Sequence, residues 1–214
     1  MMLLEEIFKT TKARYSEAFN LRIQRALSWL KKSIELEHDY DFQFISLWIS
    51  LNALYGRETN ERFNQQELEL FFQHLYAGDQ EKRIAMILCD KHSAALQGLL
   101  DHAYMTPYFW DYQHGKISRD SCHAAIQQEK KQIQDAIQHK DPLTLLKILF
   151  HRLATVYQQI LQGGVSYASV LNRKQMQDSC MLLSTLLHAF LYILLENAEV
   201  IDSGKPFYPV VQVN

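Results

Sequence analysis

The chain has 214 residues, which is ample for one domain and short for two. Apolar residues make up 48% and aromatic residues 12%, enough for one sizeable core. The formal net charge is −2 with the histidines neutral, which argues against a protein that grips long nucleic acid through many phosphates. We therefore expect one compact domain over residues 1–214, on which any basic pocket is local.

Close to its start the chain has two leucines, Leu3 and Leu4, followed at once by two glutamates, unlike the basic and apolar regions of a signal peptide. No stretch of eighteen residues lacks charged or polar breaks, so no membrane span is predicted. The cysteines Cys89, Cys122 and Cys180 are far apart and form no CxxC pair. They predict reduced, mostly buried thiols, and the chain is expected in the cytoplasm.

Apolar residues recur at helical spacing along most of the chain. The predicted helices cover about residues 13–36, 42–55, 65–76, 80–102, 118–139, 142–160 and 173–197, with an irregular or short helical stretch at 105–114. The helix over 42–55 is apolar on most sides, which predicts a central position. An extended tail is predicted over 207–211. The expected fold is an all-α, antiparallel up-and-down helical bundle with extra helices.

The nine histidines first suggest a metal site. Three of them follow an acidic residue by three positions: Glu35/His38, Asp111/His114 and Asp120/His123. Di-iron bundles take a Glu-x-x-His motif from each of two helices, whereas only one of these pairs contains glutamate. The chain also lacks HExxH and glycine-rich phosphate motifs. We expect solvated polar helix ends with no metal and no cofactor, and a di-iron enzyme remains the less favoured alternative.

One segment, YQQILQGGVSYASVLNR over residues 157–173, has an unusual composition. A helix ends there at Gly163-Gly164, whose conformational freedom allows a sharp reversal. Amides and hydroxyls then lead into the last helix, which Ser169 or Asn172 could cap. The residues fit either two helix caps or a functional corner.

Two strings of the chain are similar to a known family. The first contains Trp29-Leu30-Lys31, Asp39, Asp41, Phe44-Ile45, Leu47-Trp48-Ile49 and Leu51-Asn52-Ala53-Leu54-Tyr55. The second contains Gly163-Gly164, Ser166-Tyr167, Ser169, Asn172-Arg173, Gln175 and Asp178, and the tail from Phe207 to Val211 also fits. Together they resemble the HEPN-domain family, in its Apea-like subgroup.

The resemblance implies a helical bundle that dimerises and, in active relatives, a metal-independent ribonuclease site at the dimer cleft. That site consists of an arginine, a polar residue and a histidine, which stabilise charge on the phosphate and move the 2′-OH proton. Aligned on the double glycine, these positions hold Tyr157, Gln158 and Gln162. A carboxamide cannot exchange a proton at useful pH and a phenol carries no cation. The alignment therefore predicts a degenerate catalytic motif.

The leading hypothesis is a HEPN-like module that binds RNA or protein in a prokaryotic defence, toxin–antitoxin or stress-response setting. Its expected partners are a second copy of the chain, RNA, and a nucleotidyltransferase-like or other protein. Its candidate binding residues are Gln162, Gly163, Gly164, Ser166, Tyr167, Asn172 and Arg173. The alternative is an active endoribonuclease that uses displaced residues, drawn from His151, Arg152, Arg173 and His188.

Overall fold

The computed structural model describes residues 1–56, 65–198, 201, 206 and 208. Every regular element in these ranges is helical, which confirms the predicted all-α bundle. The α-helices are α1 (Met2–Thr11), α2 (Glu17–Glu35), α3 (Tyr40–Tyr55), α4 (Gln65–Gly78), α5 (Arg83–Ala85), α6 (Ser93–Asp101), α7 (Pro107–Gln113), α8 (Arg119–Gln138), α9 (Pro142–Leu161) and α10 (Arg173–Glu196). A π-helical segment, Met86–Lys91, continues α5, and short 3-10 turns cover Lys12–Arg14 and Ala103–Met105.

The chain divides into two compact units. The central unit is Lys82–Leu182, and the terminal unit combines Met1–Glu81 with Leu183–Asn214. Helix α10 contributes its first residues to the central unit and its remainder to the terminal unit. The single domain predicted from the sequence stays a prediction.

In the terminal unit, α2 and α3 form an antiparallel pair. The Ser50 hydroxyl donates to the Ala26 carbonyl at 2.8 Å, and the Gln43 amide donates to the Ser33 carbonyl at 3.1 Å, so the partners run in opposite directions along the two helices. Phe44, Leu47 and Trp48 on α3 are fully buried. Burial on several sides explains why this helix is apolar nearly all round.

A buried arginine closes the end of α3. The Arg22 guanidinium donates from Nη1 to the Gly56 carbonyl at 2.8 Å and lies within 3.4 Å of the Ala53 and Leu54 carbonyls. These carbonyls lack partners within the helix, and a cation also suits the negative end of the helix dipole. Arg22 thereby joins α2 to the last turn of α3.

In the central unit, α9 is the element against which the other helices pack, including α6, α7 and α8. Its buried face carries Leu145, Leu149 and Leu153, each one turn after the last. Helix α8 runs antiparallel to α9, since the two are joined by a turn of only a few residues after Gln138 and pair again at Glu129 and Arg152. This arrangement places the end of α9 and the loop after it in the central unit.

Some helix predictions were wrong in detail. The helix expected over 80–102 starts only at Arg83, after the left-handed residue Lys82 (φ 53°). It then consists of α5, the π-helical segment and α6. The π-helical segment ends where the His92 amide donates to the Ile87 carbonyl at 3.0 Å, five residues back. Helix α1 was not predicted at all. Of the tail expected over 207–211, only Tyr208 is among the described residues.

The sequence predicted no membrane span, yet helix α10 is long and apolar enough to cross a membrane by length and composition alone. However, 72% of its most apolar window is buried inside the protein, as in the core helix of a soluble protein. The three cysteines form no disulfide with one another, and Cys122 and Cys180 are buried as predicted.

Candidate functional site

Helix α9 leads into the segment from Gln162 to Arg173, which we call the corner. The sequence of α9 explains where the helix begins and ends. At its start, an Asp141 carboxylate oxygen accepts from the Thr144 amide at 3.1 Å, and Pro142 occupies the first turn. At its end, Gly163 is left-handed (φ 71°), its amide donates to the Ile160 carbonyl at 3.2 Å, and the Gly164 amide donates to the Gln159 carbonyl at 2.7 Å. This pair of bonds is a Schellman motif.

The double glycine therefore has a structural reason to be glycine. A side chain at Gly163 would be strained by its positive φ, and a Cβ at Gly164 would lie 3.2 Å from the Gln159 carbonyl oxygen. Both requirements concern how the helix closes.

The loop between α9 and α10 is built from tight turns. Ala168 is left-handed (φ 54°), and the Ser169 amide donates to the Ser166 carbonyl at 3.2 Å. The Asn172 carbonyl then accepts from the Met176 amide at 2.9 Å, which is the first bond of α10. The predicted binding residues from Gln162 to Arg173 thus form one continuous, hydrogen-bonded corner.

This corner displays large apolar side chains to solvent. The exposed fractions are 58% for Leu161, 67% for Tyr167, 85% for Val170 and 86% for Leu171. We call these four residues the corner patch. Only Tyr167 had been singled out from the sequence. Apolar residues inside a loop rich in glycine, serine and asparagine were the signal that could have identified Val170 and Leu171; Leu161 is the last residue of α9.

The three positions aligned with a catalytic motif lie on the last turns of α9. Gln158 and Gln162 are exposed and one helical turn apart, while Tyr157 is half-buried. Burial raises the pKa of the Tyr157 phenol, which keeps it protonated and neutral. These side chains can donate and accept hydrogen bonds, but they provide neither a titrating base near neutral pH nor a cation.

The basic residues that were considered as substitutes for the catalytic pair do not lie at the aligned positions. Arg152 is buried, pairs with the buried carboxylate of Glu129, and donates from Nη1 to the His102 carbonyl at 3.0 Å. Arg173 is the first residue of α10, in the central unit, whereas His188 lies on the part of α10 that belongs to the terminal unit.

The remaining histidine candidates are held within the protein. The His188 Nδ1 lies 2.8 Å from the Ser184 carbonyl, and burial lowers the pKa of this imidazole. The ring of His151 packs edge-on against Tyr108, with centroids 6.5 Å apart. Both rings are thus partly enclosed by their own unit.

The structure shows a second polar region that the sequence analysis missed. It consists of His102, Tyr108, Glu129 and Arg152, all in the central unit, and we call it the internal polar cluster. Burial and then the nearby Arg152 cation lower the pKa of His102. Burial and then the Glu129 carboxylate raise the pKa of Tyr108. The sequence signal that could have indicated this cluster is a charged residue on the apolar face of two helices, Glu129 on α8 and Arg152 on α9.

Among the described residues, no three His, Cys, Asp or Glu side chains gather as metal ligands would. The acidic members of two predicted pairs bond to lysines instead, Glu35 to Lys32 at 2.9 Å and Asp111 to Lys116 at 3.0 Å. The hydrogen bond from Lys32 also lowers the pKa of Glu35.

No protein-family model, curated protein or solved structure matches this chain. The HEPN resemblance therefore stays a prediction.

Proposed function

We propose that this chain is a non-catalytic, HEPN-like binding module whose corner patch docks onto protein, including a second copy of the chain. The supporting observation is the exposure of four large apolar side chains, one at the end of α9 and three on the loop that follows it. Exposed apolar clusters mark interaction sites, and an ordered loop loses little entropy when a partner binds.

Protein is favoured over RNA as the partner for reasons of charge. A chain with net charge −2 gains little from releasing counterions along a nucleic acid. Next to the corner, on the first turn of α10, Lys174 is already paired with the Asp178 carboxylate. The proposed setting, by resemblance, is a cytoplasmic defence, toxin–antitoxin or stress-response system.

The first test measures self-association. Leu171→Glu places a charge in the corner patch and should raise the dimer dissociation constant at least about tenfold, equivalent to about 1.4 kcal/mol. Sedimentation equilibrium over a micromolar range gives this constant. Leu70→Glu is the matched control, because Leu70 is an exposed leucine on α4 outside the patch.

Two results would contradict the proposed docking role. One is equal weakening by the control and patch variants. The other is a wild-type protein that is strictly monomeric and that also captures no protein in a pull-down. In that pull-down the Leu171→Glu variant gives the background level of capture.

The second test concerns catalysis. Purified protein incubated with tRNA and EDTA should leave the RNA as intact as buffer does, because the aligned positions hold Tyr157 and Gln162 and because Arg152 is buried in an ion pair. The Arg173→Ala variant distinguishes intrinsic activity from a contaminating nuclease. Chelator-resistant cleavage that disappears in this variant would establish the endoribonuclease alternative.

A further inference from the structure

Helix α7 is short and aromatic, and the protein itself covers it only in part. Four of its seven residues are aromatic, and none of the seven is buried. The preceding 3-10 turn adds Tyr104, whose side chain is 54% exposed. Aromatic side chains ordinarily contribute large buried areas to cores and interfaces, so a helix that leaves all of them partly accessible has room for a partner.

Three rings of this region contact one another, and we call them the aromatic surface: Tyr104, Phe109 and Trp110. The rings of Tyr104 and Phe109 lie edge to face with centroids 4.9 Å apart, and those of Phe109 and Trp110 do so at 5.2 Å. The Trp110 indole also donates from Nε1 to the Tyr104 carbonyl at 2.7 Å. These contacts fix the position of each ring relative to the next.

Two side chains of α9 hold the turn that carries Tyr104. Arg152 donates from Nη1 to the His102 carbonyl at 3.0 Å, and Gln159 donates from Nε2 to the Tyr104 carbonyl at 3.3 Å. Residues seven apart lie on the same side of an α-helix, two turns from each other. The rings are therefore ordered before a partner arrives, which lowers the entropy lost on binding.

Gln159 also joins the aromatic surface to the corner. Its side chain contacts Tyr104, while its backbone carbonyl accepts from the Gly164 amide at 2.7 Å. The corner patch contributes four large apolar residues, whereas stable interfaces take about 20–30 residues from each side. The aromatic surface adjoins the segment that carries the corner patch, and it can add to the area that a stable interface needs.

The charges of this region favour a second copy of the chain as the partner. The aromatic surface consists of uncharged side chains, and the neighbouring Asp111 carboxylate accepts from Lys116 at 3.0 Å. A neutral, apolar surface gives little attraction for a nucleic acid or a cationic peptide. A second copy, with a net charge of only −2, is weakly repelled and brings apolar surface of its own. In a twofold dimer each contributing region is used twice, which doubles the area that two small regions provide.

We propose that the aromatic surface is part of an interface between two copies of this chain, together with the corner patch. This inference rests on the proposed docking function and extends it, because it names the second copy as the partner and adds Tyr104, Phe109 and Trp110 to the contact. Tyrosine and tryptophan are enriched among the residues that dominate binding energy at protein interfaces.

Fluorine NMR of the full chain labelled with fluorotryptophan tests the position of the interface. The chain has three tryptophans, and Trp110→Phe assigns the resonance of Trp110. On dilution from dimer to monomer, followed in parallel by sedimentation equilibrium, we expect this resonance to shift, whereas that of the fully buried Trp48 should stay in place. Dissociation that leaves the Trp110 resonance unchanged would overturn the inference. The docking role of the corner patch would then still be judged separately, by Leu171→Glu.

Tyr104→Ser tests the contribution of the aromatic surface to affinity. The substitution removes the exposed ring and keeps the carbonyl that accepts from Trp110 and Gln159, so we expect the dimer dissociation constant to rise at least about tenfold. Tyr76→Ser is the matched control, because Tyr76 is a 41% exposed tyrosine on α4, in the terminal unit.

Two further outcomes would overturn the inference. One is equal weakening by Tyr104→Ser and Tyr76→Ser, or no weakening by Tyr104→Ser, in a protein that does dimerise. The other is a strictly monomeric wild type, in which case the proposed docking function would depend on the pull-down with other proteins.

Discussion

At the scale of single residues, the ion pair between Arg152 and Glu129 could not be predicted from the sequence. Both lie on helices with apolar faces, and the pattern alone does not reveal which way a long side chain points. Arg152 was considered as a replacement for a catalytic cation because of its position near the corner. The structure places its guanidinium against Glu129 and the His102 carbonyl, inside the central unit.

Removing one member of this pair should cost more than removing both. Glu129→Leu leaves a buried guanidinium without its counter-charge, and we expect the free energy of unfolding to fall by about 3–5 kcal/mol. The double variant Glu129→Leu/Arg152→Met should recover much of that loss, because no charge remains buried. Urea unfolding of both variants and of wild type measures the difference. A double variant less stable than the single one would contradict this explanation.

At the scale of elements, helix ends were predictable where glycine or proline marks them. The start of α9 at Asp141-Pro142 and its end at Gly163 follow from residue chemistry, and the structure shows both. The break within residues 80–102 was not predictable in this way. Its apolar spacing continues through a left-handed Lys82 and a π-helical segment, neither of which carries a glycine or proline signal.

Two glycine variants distinguish a glycine that is required by its positive φ, in the corner, from a glycine that only lowers the stability of a helix. Gly163→Ala puts a side chain at φ 71° and should destabilise the protein by about 1–2 kcal/mol. Gly98→Ala, in α6 with no atom within 4 Å of the new Cβ, should stabilise it by about 0.5–1 kcal/mol. Thermal unfolding should give melting temperatures that move in opposite directions. A shift in the same direction for both would show that the Schellman motif does not control the corner.

At the scale of the whole molecule, histidine burial couples stability to pH. Burial lowers the pKa of His92, His102 and His188. The unfolded chain, with histidines near pKa 6.5, then binds more protons than the folded chain at mildly acidic pH. Stability should therefore be fully present above about pH 6.5 and should fall as the pH drops below it.

Unfolding by guanidinium chloride at pH 7.5 and pH 5.5 measures this slope. His188→Gln should flatten it by removing one of the buried imidazoles. His38→Gln should leave it unchanged, because the His38 side chain is 95% exposed. If stability rises on acidification, or if the two variants behave alike, then histidine burial does not cause the effect.

The all-α class could be predicted from the whole chain because glycine and proline occur between long apolar segments and rarely within them. The division into two compact units could not. It depends on contacts between residues far apart in the sequence, such as the 2.9 Å bond from the Tyr15 hydroxyl to the Leu195 carbonyl. The corner was predicted only in part: the sequence indicated its polar residues and Tyr167, whereas the exposed side chains of Leu161, Val170 and Leu171 were not predicted.

The course of α10 limits how this protein can be dissected. A fragment ending at Leu182, or one beginning at Leu183, would cut a continuous helix midway between two fully buried leucines. Each half would expose apolar surface and would have a new helix terminus without capping partners. Separate expression of either compact unit should thus yield aggregation-prone material, and binding studies are better performed on the intact polypeptide with point substitutions.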